Sequence, residues 1–170
     1  MVIKMRLIFS DISILIDELP ARESNRVFYI PVNVNYSICI SNFSEHWLEY
    51  QLCLDGRIIG TWRVSPLQKI ILDRPVDKFK KFFFTTQNST EIPCNKPCTG
   101  MLVIDEFLCR DTFKSSQATS FFDNVEADSP GATVLKGYSS QKFRECIPIR
   151  RERIARFFID MEIDQAIEIL

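Results

Sequence analysis

Four cysteines, Cys94, Cys98, Cys109 and Cys146, are the residues of this sequence whose type most invites chemistry. Thiolates at about 2.3 Å can enclose a zinc ion tetrahedrally, and "CNKPC" supplies one pair with a plausible reach. The other two are isolated, so no second pair completes a zinc knuckle. The spacing favours free thiols in loops and strands, with a Cys94 to Cys98 disulfide as a minor alternative. Nucleophilic catalysis needs a base, and the one histidine is His46, in "SEHWLEY". Beside Trp47 and without a surrounding motif, it reads as a surface or partly packed side chain. "GATVLKGYS" lacks both the Lys-Ser/Thr pair and the following helix of a phosphate loop. No catalytic residue and no cofactor is expected.

Charged residues offer two further constellations. Asp160, Glu162 and Asp164 recur every second position, which on a strand sets their carboxylates about 7 Å apart. Calcium sites gather oxygens from a turn and from backbone carbonyls instead, so a solvated face that guards an edge is expected. Lys142, Arg144, Arg150, Arg151, Arg153 and Arg156 form a basic cluster suited to phosphate, with Phe143 and Phe157 interleaved as stacking platforms. Glu145 and Glu152 dilute it. With 21 basic against 22 acidic residues, the chain has no whole-molecule field to attract nucleic acid or anionic membrane. Phe121 and Phe122 stand in a polar stretch, 110–131, where they either fold back onto a sheet edge or anchor a partner protein.

The elements that must position these residues are strands. Val32, Val34, Tyr36, Ile38 and Ile40 alternate with polar residues, as do Leu48, Tyr50, Leu52 and Leu54, then Ile58, Gly60, Trp62 and Val64. In "CLDGRIIGTWRVSP" a two-residue Asp55-Gly56 turn would set the even apolar positions of one strand against the odd ones of the next. A three-residue loop of Leu54, Asp55 and Gly56, with Gly56 left-handed, keeps them on one side. It pairs Leu52 with Ile58, Tyr50 with Gly60 and Leu48 with Trp62, placing an aromatic ring across Gly60. Trp62 is then a core residue with Leu48 and Val64 on its face.

"KIILDR", "KFKKFFFTT", "MLVIDEFLC", "ATVLKGY" and "QKFRECIPI" continue as strands. In the final stretch, Phe157, Ile159, Met161, Ile163, Ile167 and Ile169 are odd while Asp160, Glu162, Asp164 and Glu168 are even. The count predicts an extended segment over 157–170 that adds to a sheet edge of its own domain or of a neighbour. Its natural intramolecular partner is Ile3 to Phe9, with Lys4 and Arg6 facing Asp160 and Glu162. Phe157, Ile159 and Met161, with Phe121 and Phe122, are the candidate partner-binding residues.

Apolar residues at 46% and charged residues at 25% of 170 positions predict one folded domain over 1–170. The opening apolar run is interrupted by Asp11 and Asp17 with no cleavage site after it, so a secretory signal is not expected. No stretch has the length of a transmembrane helix. The expected setting is a reducing interior or a virion, with thiols reduced and the sequons at Asn35, Asn42 and Asn88 unused. About ten short strands and no helix predict an all-β fold, a two-sheet antiparallel sandwich of jelly-roll type, with a closed barrel as alternative.

"YSICISN", "LDGRIIGTWRV", "ILDRPVDKFKKFFF" and "GATVLKGYSSQKF", between Tyr36 and Phe143, resemble small β-sandwich modules of large DNA viruses and some microbial eukaryotes. That resemblance implies a noncatalytic structural or protein-interaction module, such as a minor virion or capsid component, with a protein partner or self-assembly. The alternatives are a sandwich that binds carbohydrate or another small ligand, and a nucleic-acid contact through the basic cluster at 142–156.

Overall fold

The computed structural model describes residues 5–85, 100–110 and 133–164, and the backbone alone of 119–121. In chain order the strands are β1 (Met5–Arg6), β2 (Ser10–Ile16), β3 (Leu19–Pro20), β4 (Arg22–Ser24), β5 (Val27–Ile30), β6 (Val34–Asn35), β7 (Ser37–Asn42), β8 (Leu48–Leu54), β9 (Arg57–Val64), β10 (Lys69–Leu72), β11 (Lys80–Phe84), β12 (Met101–Cys109), β13 (Thr119–Phe121), β14 (Thr133–Tyr138) and β15 (Arg151–Ile163). The fold is all-β, with no helix among the described residues. Among the described residues three open sheets form where two were expected, in the orders β1-β2-β7-β10 with β3 beside β2, β14-β11-β6, and β13-β9-β8-β12-β15-β5-β4. None closes on itself, against the barrel alternative.

The alternation works as expected. Ile38 and Ile40 of β7, Leu48, Tyr50 and Leu52 of β8, Trp62 and Val64 of β9, Phe82 and Phe84 of β11, and Leu102 and Ile104 of β12 all enter one core shared by the three sheets. Trp62 is 1% exposed, with Phe143 edge-on to its ring at 5.7 Å. Strand β2, which the opening apolar run had hidden, adds Ile12 and Ile14 to the same core.

The hairpin differs from expectation. Asp55 (φ 53°) and Gly56 (φ 82°) are both left-handed and lie between paired Leu54 and Arg57, a two-residue type I′ turn. The extra residue that parity requires sits further along as a bulge at Ile59, between the pairs Cys53↔Ile58 and Leu52↔Gly60. Beyond it the even sets face each other as Tyr50↔Trp62 and Leu48↔Val64, two positions from the predicted register. Asp55 tolerates its left-handed backbone because its carboxylate is well used. It accepts hydrogen bonds from the backbone N–H of Gly100 (2.5 Å), Met101 (3.2 Å) and Thr133 (3.0 Å), tying the turn to the starts of β12 and β14.

Three further expectations are corrected. The segment around "QKFRECIPI" forms no strand; it runs as a strap held by side chains. Arg74 donates to the carbonyls of Gln141, Pro75, Val76 and Lys78, with its guanidinium 4.3 Å from the ring centres of both Phe79 and Phe143. Burial lowers the pKa of Arg74, and carbonyls and aromatic faces serve where a carboxylate would be the usual partner. The N-terminal strand pairs with β2, as Met5↔Ile12, and not with β15. Finally, of the predicted extended segment 157–170, residues 157–163 are extended within β15 and 165–170 lie outside the described residues; β15 lies inside the large sheet, antiparallel to β12 and parallel to β5, so that sheet is mixed.

At one end the sheets are stitched by buried polar groups. Ser10 Oγ is hydrogen-bonded to Tyr50 Oη and donates to Glu106 Oε2 (2.6 Å), which also accepts from Phe9 N–H. Glu106 is fully buried, its Oε1 has no hydrogen-bond partner, and burial raises its pKa. Asn42 braces the neighbouring corner, donating to His46 O and Ser65 O and accepting from Ser44.

Candidate interaction surface

On the side of the large sheet away from the core, the registers Cys53↔Ile58, Val103↔Cys53 and Val103↔Phe158 line up four apolar side chains across four strands. Each neighbours a residue committed to the core, Leu52, Leu102 or Ile159 among them, and strand alternation turns the rung outward. Ile58, Cys53 and Val103 are half-buried, and Phe158 is 56% exposed.

The adjoining rungs are polar. Arg156 grips Asp105 with Nε at 2.7 Å and a terminal nitrogen at 3.0 Å, and this pairing raises its pKa. Further along, buried Glu49 accepts from Arg63 Nε at 2.7 Å and from Arg151 at 3.0 Å. Arg63 also donates to Ile147 O, while the Arg151 guanidinium stacks 3.8 Å from the centre of the Phe107 ring. A carboxylate shared by two guanidiniums and covered by the strap is a rigid seam.

These contacts sort the predicted residues. Of the basic cluster, Arg151 and Arg156 are committed to Glu49 and Asp105, while Lys142, Arg144, Arg150 and Arg153 are exposed. Of the candidate partner-binding residues, Ile159 (0% exposed) and Met161 (4%) belong to the core, and Phe157 is half-buried with Arg26 over its ring at 5.6 Å. The odd positions of β15 are its apolar ones, and a central strand spends its apolar side on the core. The exposed aromatic is its even neighbour Phe158, which sequence reasoning passed over. Its only signal was an apolar residue out of phase with the acidic set.

The backbone of β13 pairs with β9, as Phe121↔Thr61, which is a fold-back onto a sheet edge, one of the two arrangements open for that stretch. The Phe121 side chain and Phe122 lie outside the described residues, as do Cys94 and Cys98. Cys109 is buried and Cys146 half-buried, both as free thiols, and burial pushes the Cys109 pKa up to about 12. No three His, Cys, Asp or Glu side chains converge as metal ligands among the described residues. Asp160 and Glu162 are exposed, and Asp164 accepts from Arg22 at 3.4 Å. His46 is exposed with the Phe9 ring 5.9 Å away, and Trp47 is half-buried. No helix among the described residues is long and apolar enough to cross a membrane. No protein family, no curated protein and no solved structure matches this chain.

Proposed function

We propose that this protein is a noncatalytic β-sandwich of jelly-roll type that acts as a structural or protein-interaction module, a minor component of a virion or comparable assembly. The carrying observation is the apolar rung of Ile58, Cys53, Val103 and Phe158 on the outer side of the large sheet. An aromatic ring more than half in water, flanked by aliphatic side chains and rimmed by fixed ion pairs, has the composition of a contact patch with a polar border. The polar groups of the interior support the same reading, because Asp55, Glu106, Arg74 and Asn42 act as braces between strands. The resemblance of the Asp-Gly hairpin and Gly-x-Trp strand to viral β-sandwich modules supplies the virion setting.

Phe158→Asp tests the reading. Placed on a side chain 56% exposed, it costs about 1 kcal/mol, chiefly through lost strand propensity, and puts a charge at the most exposed end of the rung. Sedimentation velocity on native material is expected to show wild-type protein in a complex and the variant as free chain. Unaltered association of a folded Phe158→Asp variant overturns it.

A further inference from the structure

Strand β10 ends its sheet, and hydrogen bonding shows which of its backbone groups face outward. Asn42 N–H donates to Gln68 O, and Ile70 and Leu72 pair with Ile40 and Ile38, so even positions serve β7. Odd positions therefore point away from the sheet. Ile71 O accepts from the Gln141 side-chain nitrogen, Asp73 N–H donates to Gln141 Oε1 at 3.0 Å, and Asp73 O accepts from Phe82 N–H. The Gln141 amide thus spans Ile71 O and Asp73 N as one residue of a parallel neighbouring strand would. Among the described residues no strand pairs with this edge of β10.

On the face of this sheet turned from the core, reaching from β10 across β7 to the end of β2, an open pocket of about 290 Å³ has Ile71 and Leu15 among its apolar lining and Asp17, Glu18 and Asp73 among its polar lining, with Lys81 as its one basic residue. Ile71 is 40% exposed there. Three carboxylates against one ammonium favour a cationic side chain resting its stem on the isoleucine.

We propose that the outward edge of β10 docks an extended peptide carrying a lysine or arginine, which adds as a strand in the place the Gln141 side chain holds and sets its cation in the Asp17, Glu18 and Asp73 pocket. The edge gives affinity through main-chain hydrogen bonds and the pocket gives selectivity by charge. This site is separate from the Phe158 rung, and either can fail without the other.

The probe is an acetylated hexapeptide of alternating valine and threonine with one central arginine, followed by fluorescence anisotropy with the full chain. Removing the competing amide in Gln141→Ala is expected to tighten binding by about tenfold. Replacing the peptide arginine by glutamate, or combining Asp17→Asn with Glu18→Gln, weakens it by about tenfold or more. Methylating alternate backbone nitrogens of the peptide abolishes binding. Should Gln141→Ala fail to fold, Ile71→Pro deletes an outward N–H without touching the β7 pairing and is expected to abolish binding. The proposal is overturned by failure of the arginine peptide to bind wild type and variant alike, by equal binding of the methylated or glutamate peptide, or by dimerisation of Gln141→Ala without peptide, which assigns the edge to a second copy.

Discussion

The indole of Trp62 lies against the Cα of Gly60, two residues earlier on the same strand, closely enough that a Cβ at Gly60 would stand 2.6 Å from Trp62 Cη2 and 2.6 Å from Val76 Cγ2. The φ of +151° at Gly60 adds backbone strain for any other residue. Gly60→Ala is therefore expected to destabilise by about 1–3 kcal/mol through overpacking, and Trp62→Ala by about 3–5 kcal/mol through the cavity it leaves. In urea denaturation the double variant should lose less than the two singles combined, because the ring that Gly60→Ala strikes is gone. Strict additivity would contradict this contact.

Asp55 does two jobs, and two substitutions separate them. Asp55→Asn keeps a residue that tolerates the left-handed turn but gives up one acceptor oxygen, whereas Asp55→Ala loses every side-chain bond to Gly100, Met101 and Thr133. With charge-assisted bonds to a buried carboxylate worth about 1.5–3 kcal/mol, Asp55→Ala should lower stability by about 3 kcal/mol or more and Asp55→Asn by clearly less. An Asp55→Asn variant as stable as wild type would mean that the turn, not the strut, is what Asp55 supports.

Glu106 sets a pH dependence. Burial raises its folded-state pKa above the ordinary 4.5, so between those two values the folded chain holds a proton that the unfolded chain has released. Its contribution to stability is present below the unfolded pKa and is lost as pH rises through the folded one. Glu106→Gln, which keeps an acceptor for Ser10 and Phe9 but cannot ionise, should gain stability relative to wild type on going from pH 4 to pH 8, read from urea midpoints. A constant difference would place Glu106 as an ordinary ionised carboxylate.

The thiols should divide by burial. With its pKa near 12, Cys109 carries almost no thiolate at pH 8 and is expected to resist iodoacetamide in the folded protein, while half-buried Cys53 and Cys146 are alkylated before it. Mass spectrometry of native-state labelling reads the order directly. Early labelling of Cys109 would show that the strap opens over the Glu49 seam.

Much of the architecture was legible because period-2 alternation is a local property. Leu48 to Val64, Lys69 to Leu72 and Met101 to Cys109 are strands where the pattern placed them, with Trp62 in the core. Parity correctly demanded one odd residue in the hairpin, but cannot say where along the ladder it falls. The chain put it at Ile59, where the neighbouring Gly60 accommodates the distortion. What alternation cannot supply is the identity of a strand's neighbours. Alternation marks Phe157 to Ile163 as extended and apolar on its odd side, yet whether that side meets a partner or the core depends on β12 and β5, far away in sequence. The candidate surface was missed for the same reason, since its rung is assembled by register across four strands and no stretch of sequence contains it.

The parallel pairing of β5 with β15 also bears on how the molecule is made. Val27 to Ile30 emerge early in synthesis, but the strand that joins them to the large sheet, through Val27↔Asp160 and Ile30↔Ile163, is translated only after β12 and the strap. Until then β4 and β5 form an isolated two-stranded ribbon, too small to persist in water. The fully apolar Phe28 and Ile30 must wait uncovered on the ribosome, so chaperone occupancy is expected to concentrate on that early segment and to end abruptly once β15 clears the exit tunnel.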